Sequence, residues 1–269
     1  RVYEIPEGSK TSKGRAIQNL INIEQDDKVK AFICTKDLKD DEYINNHYVI
    51  MATKRGQVKK TSLEQYSRPR VNGINAITIK EDDELLEAKL TDGNSQVMLA
   101  LKSGKAIRFE EAKTRPMGRN ASGVRGIRLQ HDKDEVIGMV AVNDMESNIL
   151  VVSSNGYGKR SRLEDYRVTS RGGKGVKTIS ITEKTGDLVA IKNVDDSNGL
   201  MIINKSGIAI RMAVEDLRVM GRATQGVKLI NIKDGDSIAA VAKVIHEKDE
   251  DQHDEELESN EENNTNSEQ

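Results

Sequence analysis

The sequence lacks the residues that build disulfide frameworks, membrane spans and aromatic stacking platforms. Its single cysteine, Cys34, cannot form an internal disulfide, and no stretch approaches the roughly 20 apolar residues of a membrane-spanning helix. There is no tryptophan, and aromatic residues make up 3% of the chain, which argues against binding of single strands or flipped bases by stacking. We expect a cytoplasmic protein without a membrane partner.

Motifs for catalysis and metal binding are also missing. The four histidines, His47, His131, His246 and His253, lie in predicted turns or near the C-terminus, without metal-ligand spacing. The sequence has no Walker loop, no G-x-S-x-G elbow and no Cys–His pairing. The glycine-rich residues 171–175 do not open a predicted helix, so they do not form a nucleotide phosphate cradle. We predict no catalytic residue, no metal site and no cofactor in this chain.

Charge is divided unequally along the chain. Residues 246–269 contain 11 acidic residues and one lysine, whereas residues 1–245 hold the other 41 Lys and Arg against 33 Asp and Glu. Because the C-terminal segment is acidic and poor in apolar side chains, we expect 246–269 to be a disordered tail. The excess of eight positive charges in residues 1–245 predicts an anionic partner.

A repeat of about 50 residues organises the rest of the chain. Four segments each open with an apolar run that ends at a hairpin glycine, namely Gly56, Gly104, Gly156 and Gly207. A second glycine in each segment begins an alternating apolar and polar run, at Gly73, Gly123, Gly175 and Gly226. Each segment then closes with a third apolar run, and residues 1–46 form a looser copy whose predicted closing strand is KVKAFIC, residues 28–34.

These patterns indicate strands and hairpins rather than helices. Short β-branched runs with period-two alternation, joined by glycine turns, are typical of antiparallel sheets. Repeats of this length with several strands each favour radial repetition, as in β-propellers. We predict an all-β, propeller-like array of about five four-stranded blades over residues 1–245, with units near 1–46, 47–94, 95–146, 147–197 and 198–245.

Basic residues recur at equivalent places in these units. Four residues after the hairpin glycine stand Lys60, Arg108, Arg160 and Arg211. Arginine pairs four residues apart precede the second glycine, as Arg115 with Arg119, Arg167 with Arg171, and Arg218 with Arg222. Two residues after that glycine come Arg125, Lys177 and Lys228, and Lys174 lies in the glycine-rich stretch.

A charge repeated in each unit predicts a continuous basic track around the array. Such a track matches the evenly spaced phosphates of duplex DNA, and phosphate contacts position DNA without reading its sequence. A curved track must also bend the duplex, at about 1–6 kcal/mol per 20–30 base pairs. Two alternatives stay open: a propeller scaffold that binds an acidic protein, and a propeller enzyme, which would need polar residues converging on the axis.

Four long stretches resemble the C-terminal domain of the bacterial gyrase A family: VYEIPEGSKTSKGRAI, RPMGRNASGVRGIRL, NGYGKRSRLEDY and VMGRATQGVKLI. The resemblance covers essentially residues 1–245 and implies a β-pinwheel, a six-bladed propeller with strand exchange that wraps DNA around its perimeter. It implies three partners: duplex DNA, an upstream cleavage core and, in an A2B2 enzyme, the gyrase B subunit. ATP and Mg²⁺ would belong to the holoenzyme and not to this chain.

The resemblance implies a part in a type IIA topoisomerase, a DNA gyrase that introduces negative supercoils with ATP. The family's glutamine-led, arginine- and glycine-rich box belongs to a first blade that would precede Arg1. Residues 170–175, SRGGKG, resemble this box but lack the glutamine and lie in the fourth unit. We therefore expect a piece without the first blade or the cleavage core, in which Arg171 and Lys174 are perimeter contacts. The topoisomerase IV A-type subunit, which decatenates DNA, is the alternative within the family.

Deleting residues 246–269 tests the two possible roles of the acidic tail. If the tail competes with DNA for the basic track, the truncated chain binds duplex DNA more tightly, because an intramolecular anion has been removed. The affinity is measured by fluorescence anisotropy at low salt. An unchanged affinity would assign the tail to solubility alone.

Overall fold

A computed structural model of the chain describes residues 5–9, 11–13, 15–16, 21, 23, 27–70, 72–233 and 235–245. These residues form one short helix, α1 (Asp41–Asn46), whose N-terminus is capped by the Asp40 carboxylate. Three 3₁₀ turns lie at Leu63–Tyr66, Glu111–Lys113 and Leu163–Asp165. The strands are β1 Tyr48–Thr53, β2 Gln57–Ser62, β3 Leu85–Thr91, β4 Gln96–Leu101, β5 Lys105–Glu110, β6 Val124–Arg125, β7 Val136–Val142, β8 Asn148–Ser153, β9 Tyr157–Arg162, β10 Val176–Lys177, β11 Leu188–Val194, β12 Asn198–Asn204, β13 Ala209–Ala213, β14 Val227–Lys228 and β15 Ile238–Ile245.

The strands form four antiparallel sheets, which confirms the predicted all-β, propeller-like class. Their strand orders are β3-β1-β2-β6, β10-β5-β4-β7, β11-β8-β9-β14 and β13-β12-β15. Hairpins at Gly56, Gly104 and Gly156 join the two middle strands of the four-stranded sheets, and each of these glycines has a positive φ. The third strand of each unit, such as β3 or β7, returns to the opposite edge.

Neighbouring repeats exchange a strand. The outer edge of each four-stranded sheet is completed by a two-residue strand from the next unit: β6 pairs with β2, β10 with β5, and β14 with β9. An unpaired edge strand exposes a row of N–H and C=O groups, and the exchanged strand satisfies part of that row. Each of the three four-stranded blades is therefore completed by its successor.

The core lies between the sheets. Along β4, Met98 and Ala100 face the cluster shared with the following sheet, whereas Val97, Leu99 and Leu101 face the cluster shared with the preceding one. This alternation is the two-residue period of a strand that is buried on both faces. The third strands β3, β7, β11 and β15 also contact one another in sequence, so they form the inner side of the array.

The described part of residues 1–46 contains no strand. The predicted closing strand at residues 28–34 is wrong, because these residues have irregular backbone and no paired strand beside them. A strand needs a hydrogen-bonding neighbour, and the described residues supply none here. The other predicted strands of this unit, and the predicted tail 246–269, lie outside the described residues.

Substitution of Gly175 tests how closely an exchanged strand packs against the preceding sheet. Its φ is +71°, and a Cβ there would lie 2.6 Å from the carbonyl oxygen of Ala106 on β5. We expect Gly175→Ala to lower the free energy of unfolding by about 2–3 kcal/mol, through backbone strain and this clash. Urea unfolding measures the change. The matched control is Gly118→Ala, where the added Cβ meets nothing within 4 Å, and a similar loss there would contradict the explanation.

Candidate nucleic-acid interface

Three loops lie along the outer edge of the sheets, and we call residues 115–128, 167–180 and 218–231 the perimeter loops. Each loop begins by bonding to one of the two middle strands of the preceding sheet, the one nearer the outer edge (β2, β5 or β9). The N–H groups of Met117, Thr169 and Met220 donate to the carbonyls of Lys60, Arg108 and Arg160, each at 2.8 Å. Each loop then runs to the exchanged strand, so the arginine pair and the later cation of one unit lie against the preceding blade.

The perimeter loops present most of the predicted cations to solvent. Arg115, Arg125, Arg167, Lys174, Lys177, Arg218 and Lys228 are exposed, and Arg119, Arg171 and Arg222 are partly exposed. On the exchanged strands the valine before the cation turns inward and the cation turns outward, as strand alternation requires. Within the described residues, none of these ten side chains forms an ion pair with a carboxylate.

The second arginine of each pair joins its loop to the loop before it. Arg119 donates to the carbonyl of Asn75 at 3.5 Å, Arg171 to that of Arg125 at 3.2 Å, and Arg222 to that of Lys177 at 2.8 Å. All three acceptors stand two residues after the second glycine of the preceding unit. The contact therefore places each of these arginines beside the backbone at the preceding unit's cation position.

Backbone hydrogen bonds connect the same loops. The N–H of Thr78 donates to Ala121 at 3.3 Å, that of Arg128 to Gly173 at 2.8 Å, and that of Ser180 to Thr224 at 3.1 Å. With the arginine contacts, these bonds make a continuous basic strip along the edge of successive sheets.

Three predicted contact residues are wrong as surface ligands, because they are buried at the joints between blades. Lys60, Arg108 and Arg160 are only 4, 8 and 8% exposed. Lys60 forms an ion pair with Glu111 at 2.9 Å and lies over the Tyr48 ring at 4.0 Å. Each of these cations binds the next unit's turn just before the arginine pair, so its role is to hold that turn in place.

The guanidinium groups of Arg108 and Arg160 bind main-chain carbonyls of the next unit's turn as well as side chains. Arg108 donates to the carbonyls of Leu163 and Tyr166 at 2.7 and 3.0 Å, and burial lowers the pKa of its guanidinium. Arg160 donates to the carbonyl of Leu217 and forms an ion pair with Asp196. Arg211, at the same repeat position, is exposed and makes interactions of its own on β13. It differs because no exchanged strand covers β13 in the described sheets.

Sequence reasoning missed two buried lysines beneath the perimeter loops. Lys59 and Lys159 are 0 and 1% exposed and stand three residues after the hairpin glycine. Lys59 donates to the carbonyls of Ala76 and Arg119, and Lys159 donates to the carbonyl of Gly221 at 2.6 Å and to the Thr224 hydroxyl at 3.1 Å. The only signal was a lysine pair, or Lys-Arg, in the middle of an otherwise buried strand.

Burial is the main cause of an altered acidity at both lysines. It lowers the pKa of Lys59 to about 8, with a further lowering from the Arg119 charge. It also lowers the pKa of Lys159 to about 8, where Asp165 acts in the opposite direction and Arg222 and Lys177 reinforce the lowering. Both ammonium groups therefore lie close to loop arginines without a carboxylate partner among the described residues.

The described residues show neither a membrane-crossing helix nor a cluster of metal-ligating side chains. No helix among them is both long and apolar enough to span a bilayer. No group of three or more His, Cys, Asp and Glu side chains among them could hold a metal ion.

Exchange of a strand between successive antiparallel blades, with a basic outer edge, defines a propeller of the β-pinwheel class. A family model described as the DNA gyrase C-terminal domain, β-propeller, matches residues 1–36, 47–92, 97–143, 147–195 and 200–245. The chain belongs to this family.

Curated relatives agree with the family assignment. The chain is 44% identical over 248 residues to the DNA gyrase A protein of Staphylococcus epidermidis, covering 92% of this chain and 27% of that protein. It is 43% identical over 254 residues to the corresponding gyrase protein of Staphylococcus aureus strain MRSA252, covering 94% of this chain and 28% of that protein. The chain thus spans little more than a quarter of these relatives.

Two solved structures share the fold. The C-terminal domain of a DNA topoisomerase IV aligns with a TM-score of 0.82 at 24% identity, covering 96% of this chain and 79% of that one. A DNA gyrase A C-terminal domain aligns with a TM-score of 0.76 at 23% identity, covering 87 and 76%. At these identities the likeness shows the fold alone.

Variants of the buried Lys60–Glu111 pair test whether Lys60 holds the next unit's turn in place rather than binding a ligand at the surface. Lys60→Met should lower the free energy of unfolding by about 3 kcal/mol, because it leaves the fully buried Glu111 carboxylate without its cation. The double variant Lys60→Met/Glu111→Met should recover most of that loss, since no charge remains buried. Urea unfolding of both variants measures the two losses. Equal losses in the single and double variants would contradict a buried-pair role.

Proposed function

We propose that this chain binds and bends duplex DNA along its perimeter loops, without reading sequence, as the C-terminal part of the A protein of a DNA gyrase. The proposal rests on the ten exposed or partly exposed loop cations that have no carboxylate partner among the described residues. A basic strip that is not neutralised by the protein attracts a polyanion, and its phosphate contacts supply affinity.

The geometry favours bending because the strip follows the outer edges of sheets whose inner strands pack together. Successive loops are bonded edge to edge, so a duplex that contacts all of them follows their curve. Bending a site of 20–30 base pairs by 40–90° costs about 1–6 kcal/mol. Two or three phosphate contacts for each of the three perimeter loops would total roughly six to nine, enough to offset this cost.

The proposed context is a type IIA topoisomerase that introduces negative supercoils with ATP. In it, the cleavage core precedes this segment in the same chain, and the gyrase B subunit completes an A2B2 enzyme on the chromosome in the cytoplasm. ATP and Mg²⁺ act in those other parts, and this segment contributes DNA shape. The 43–44% identity to gyrase A proteins over more than nine-tenths of this chain supports a gyrase rather than a topoisomerase IV context.

Salt dependence tests phosphate binding by the perimeter loops. We expect similar affinities for duplexes of unrelated sequence, falling roughly 10³-fold or more between about 50 and 200 mM salt. Replacing Arg115, Arg167 and Arg218 together with alanine should lower the slope of log affinity against log salt by about three, one for each lost phosphate contact. Fluorescence anisotropy over a salt series measures both quantities.

The matched control removes three exposed lysines outside the perimeter loops, with Lys133, Lys184 and Lys233 replaced by alanine. It changes the net charge equally, so its slope should stay close to that of the unaltered chain. Salt-insensitive binding, or equal slopes in the two triple variants, would contradict the proposed interface and favour a protein-binding scaffold.

A further inference from the structure

The two buried lysines hold the perimeter loops from below. Lys59 on β2 binds the carbonyl of Arg119 itself, and Lys159 on β9 binds the carbonyl of Gly221, the residue before Arg222. Their other acceptors, Ala76 and Thr224, lie in the same layer of loops. Each ammonium group thus fixes the backbone at or beside the second arginine of a pair, Arg119 or Arg222.

The fold does not require lysine at this position. Three residues after the hairpin glycine, β5 carries Ile107 and β13 carries Ile210, where β2 and β9 carry Lys59 and Lys159. Ile107 is buried in the core like the lysines. The same protein therefore shows that an apolar side chain can occupy the equivalent position.

Stability alone is a poor reason for these lysines. A buried charge without an ionic partner costs folding free energy, and isoleucine would avoid that cost. Nearby arginines add to this cost, because Arg119 repels the Lys59 charge and Arg222, with Lys177, repels the Lys159 charge, where Asp165 acts in the opposite direction. The phosphates of a polyanion laid over the loops would attract both the lysines and the arginines and so offset this repulsion.

We infer that Lys59 and Lys159 are positioning residues of the DNA interface, each fixing the adjacent arginine loop and adding a water-excluded positive charge beneath the bound phosphates. The inference rests on the proposed function. The two lysines are not expected to touch DNA, since they are buried beneath the loops.

A pH dependence follows from the groups around each lysine. Asp165 from the 3₁₀ turn, Lys177 from β10 and Arg222 from the loop face Lys159, whereas Arg119 faces Lys59 and the Tyr66 hydroxyl shares its Ala76 acceptor. Burial raises the pKa of Tyr66, so this hydroxyl stays neutral. With pKa values of about 8, both ammonium groups are charged below pH 8 and lose their charge as the pH rises through 8. Bound phosphates favour the charged form, so DNA binding takes up protons above pH 8.

The first experiment replaces each lysine with the residue found in the other units. Lys59→Ile and Lys159→Ile should each weaken duplex binding about threefold to tenfold at pH 7, and the double variant more. The affinity of the unaltered chain should fall by a comparable factor between about pH 7 and 9.5, whereas that of the double variant should stay nearly constant. Calorimetry at about pH 8.5, in two buffers of different ionisation enthalpy, should detect proton uptake only when the lysines are present.

The control is Lys192→Ile on the inner strand β11. Burial also lowers the pKa of Lys192, but its neighbours are Glu87 and Lys89 rather than loop arginines. It removes the same charge from a strand on the opposite side of the sheet, so DNA affinity and its pH profile should be preserved.

The reciprocal experiment is Ile107→Lys. A cavity of about 180 Å³ lies beside Ile107, lined by Thr169, Ser170, Gly173 and Lys174, and gives an ammonium room to reach the loop. This variant should bind DNA severalfold more tightly below pH 8 and show a steeper pH dependence. Cooperative thermal unfolding of every variant shows that it has folded.

The outcomes separate the inference from the function it rests on. If the unaltered chain does not bind duplex DNA, the proposed function and this inference both fail. If it binds, but the lysine-to-isoleucine variants keep its affinity and pH profile, only the inference is overturned. Should the double variant not fold, Ile107→Lys still decides, because an unchanged or weaker affinity in that folded variant would contradict the inference.

Discussion

The structure depends on the covering of each outer middle strand by backbone from the next repeat. β2, β5 and β9 would otherwise present unpaired N–H and C=O groups to solvent. A two-residue exchanged strand and one further backbone bond, such as that from Met117 to Lys60, satisfy part of each edge. The same contact sets the path of the perimeter loop, because the chain between these two points must follow the strand. The contacts that complete a blade therefore also place the loop cations. A loop cannot move without exposing the edge of the neighbouring sheet.

Much of the architecture could be predicted from sequence, because the repeat is carried by residues with strong local preferences. Hairpin glycines with positive φ and buried runs such as that of β4 specify the hairpins and both faces of each sheet. The two-residue exchanged strands were within the alternating runs after the second glycine, but their pairing with another repeat is a long-range contact that composition does not reveal. It was expected only through the resemblance to a known family. Residues 28–34 also have a strand-like composition but no hydrogen-bonded neighbouring strand among the described residues. A sequence pattern alone therefore does not form a strand.

The candidate site was predictable in part for the same reason. Repetition correctly groups Lys60, Arg108 and Arg160 as equivalent, and it correctly groups the loop arginines, but equivalence does not say which group faces water. On an edge strand with one open side, a cation four residues after the hairpin would be exposed, as Arg211 is on β13. Covering by the next unit buries its equivalents and supplies the carbonyls and carboxylate that accept from them. The environments of Arg108 and Arg211 thus differ because Arg108 is covered by a segment that begins at Leu163, 55 residues further along the chain.

Close approach of loop to strand also explains how a positive charge survives in the interior. Gly123 over β2 and Gly226 over β9 adopt positive φ and come so near the strand that a Cβ on either would strike a strand carbonyl. Beneath these contacts, loop carbonyls point at the lysine side chains of the strand. An ammonium with three donors fits such a place better than it fits an apolar core, since hydrogen bonds from a charged donor to oxygen are the stronger kind. The carbonyls that Lys59 and Lys159 bind come from the loops that lie over β2 and β9. The glycine permits the close contact, and the lysine is one way of filling the space beneath it, since the same approach of Gly175 to β5 is accompanied by Ile107.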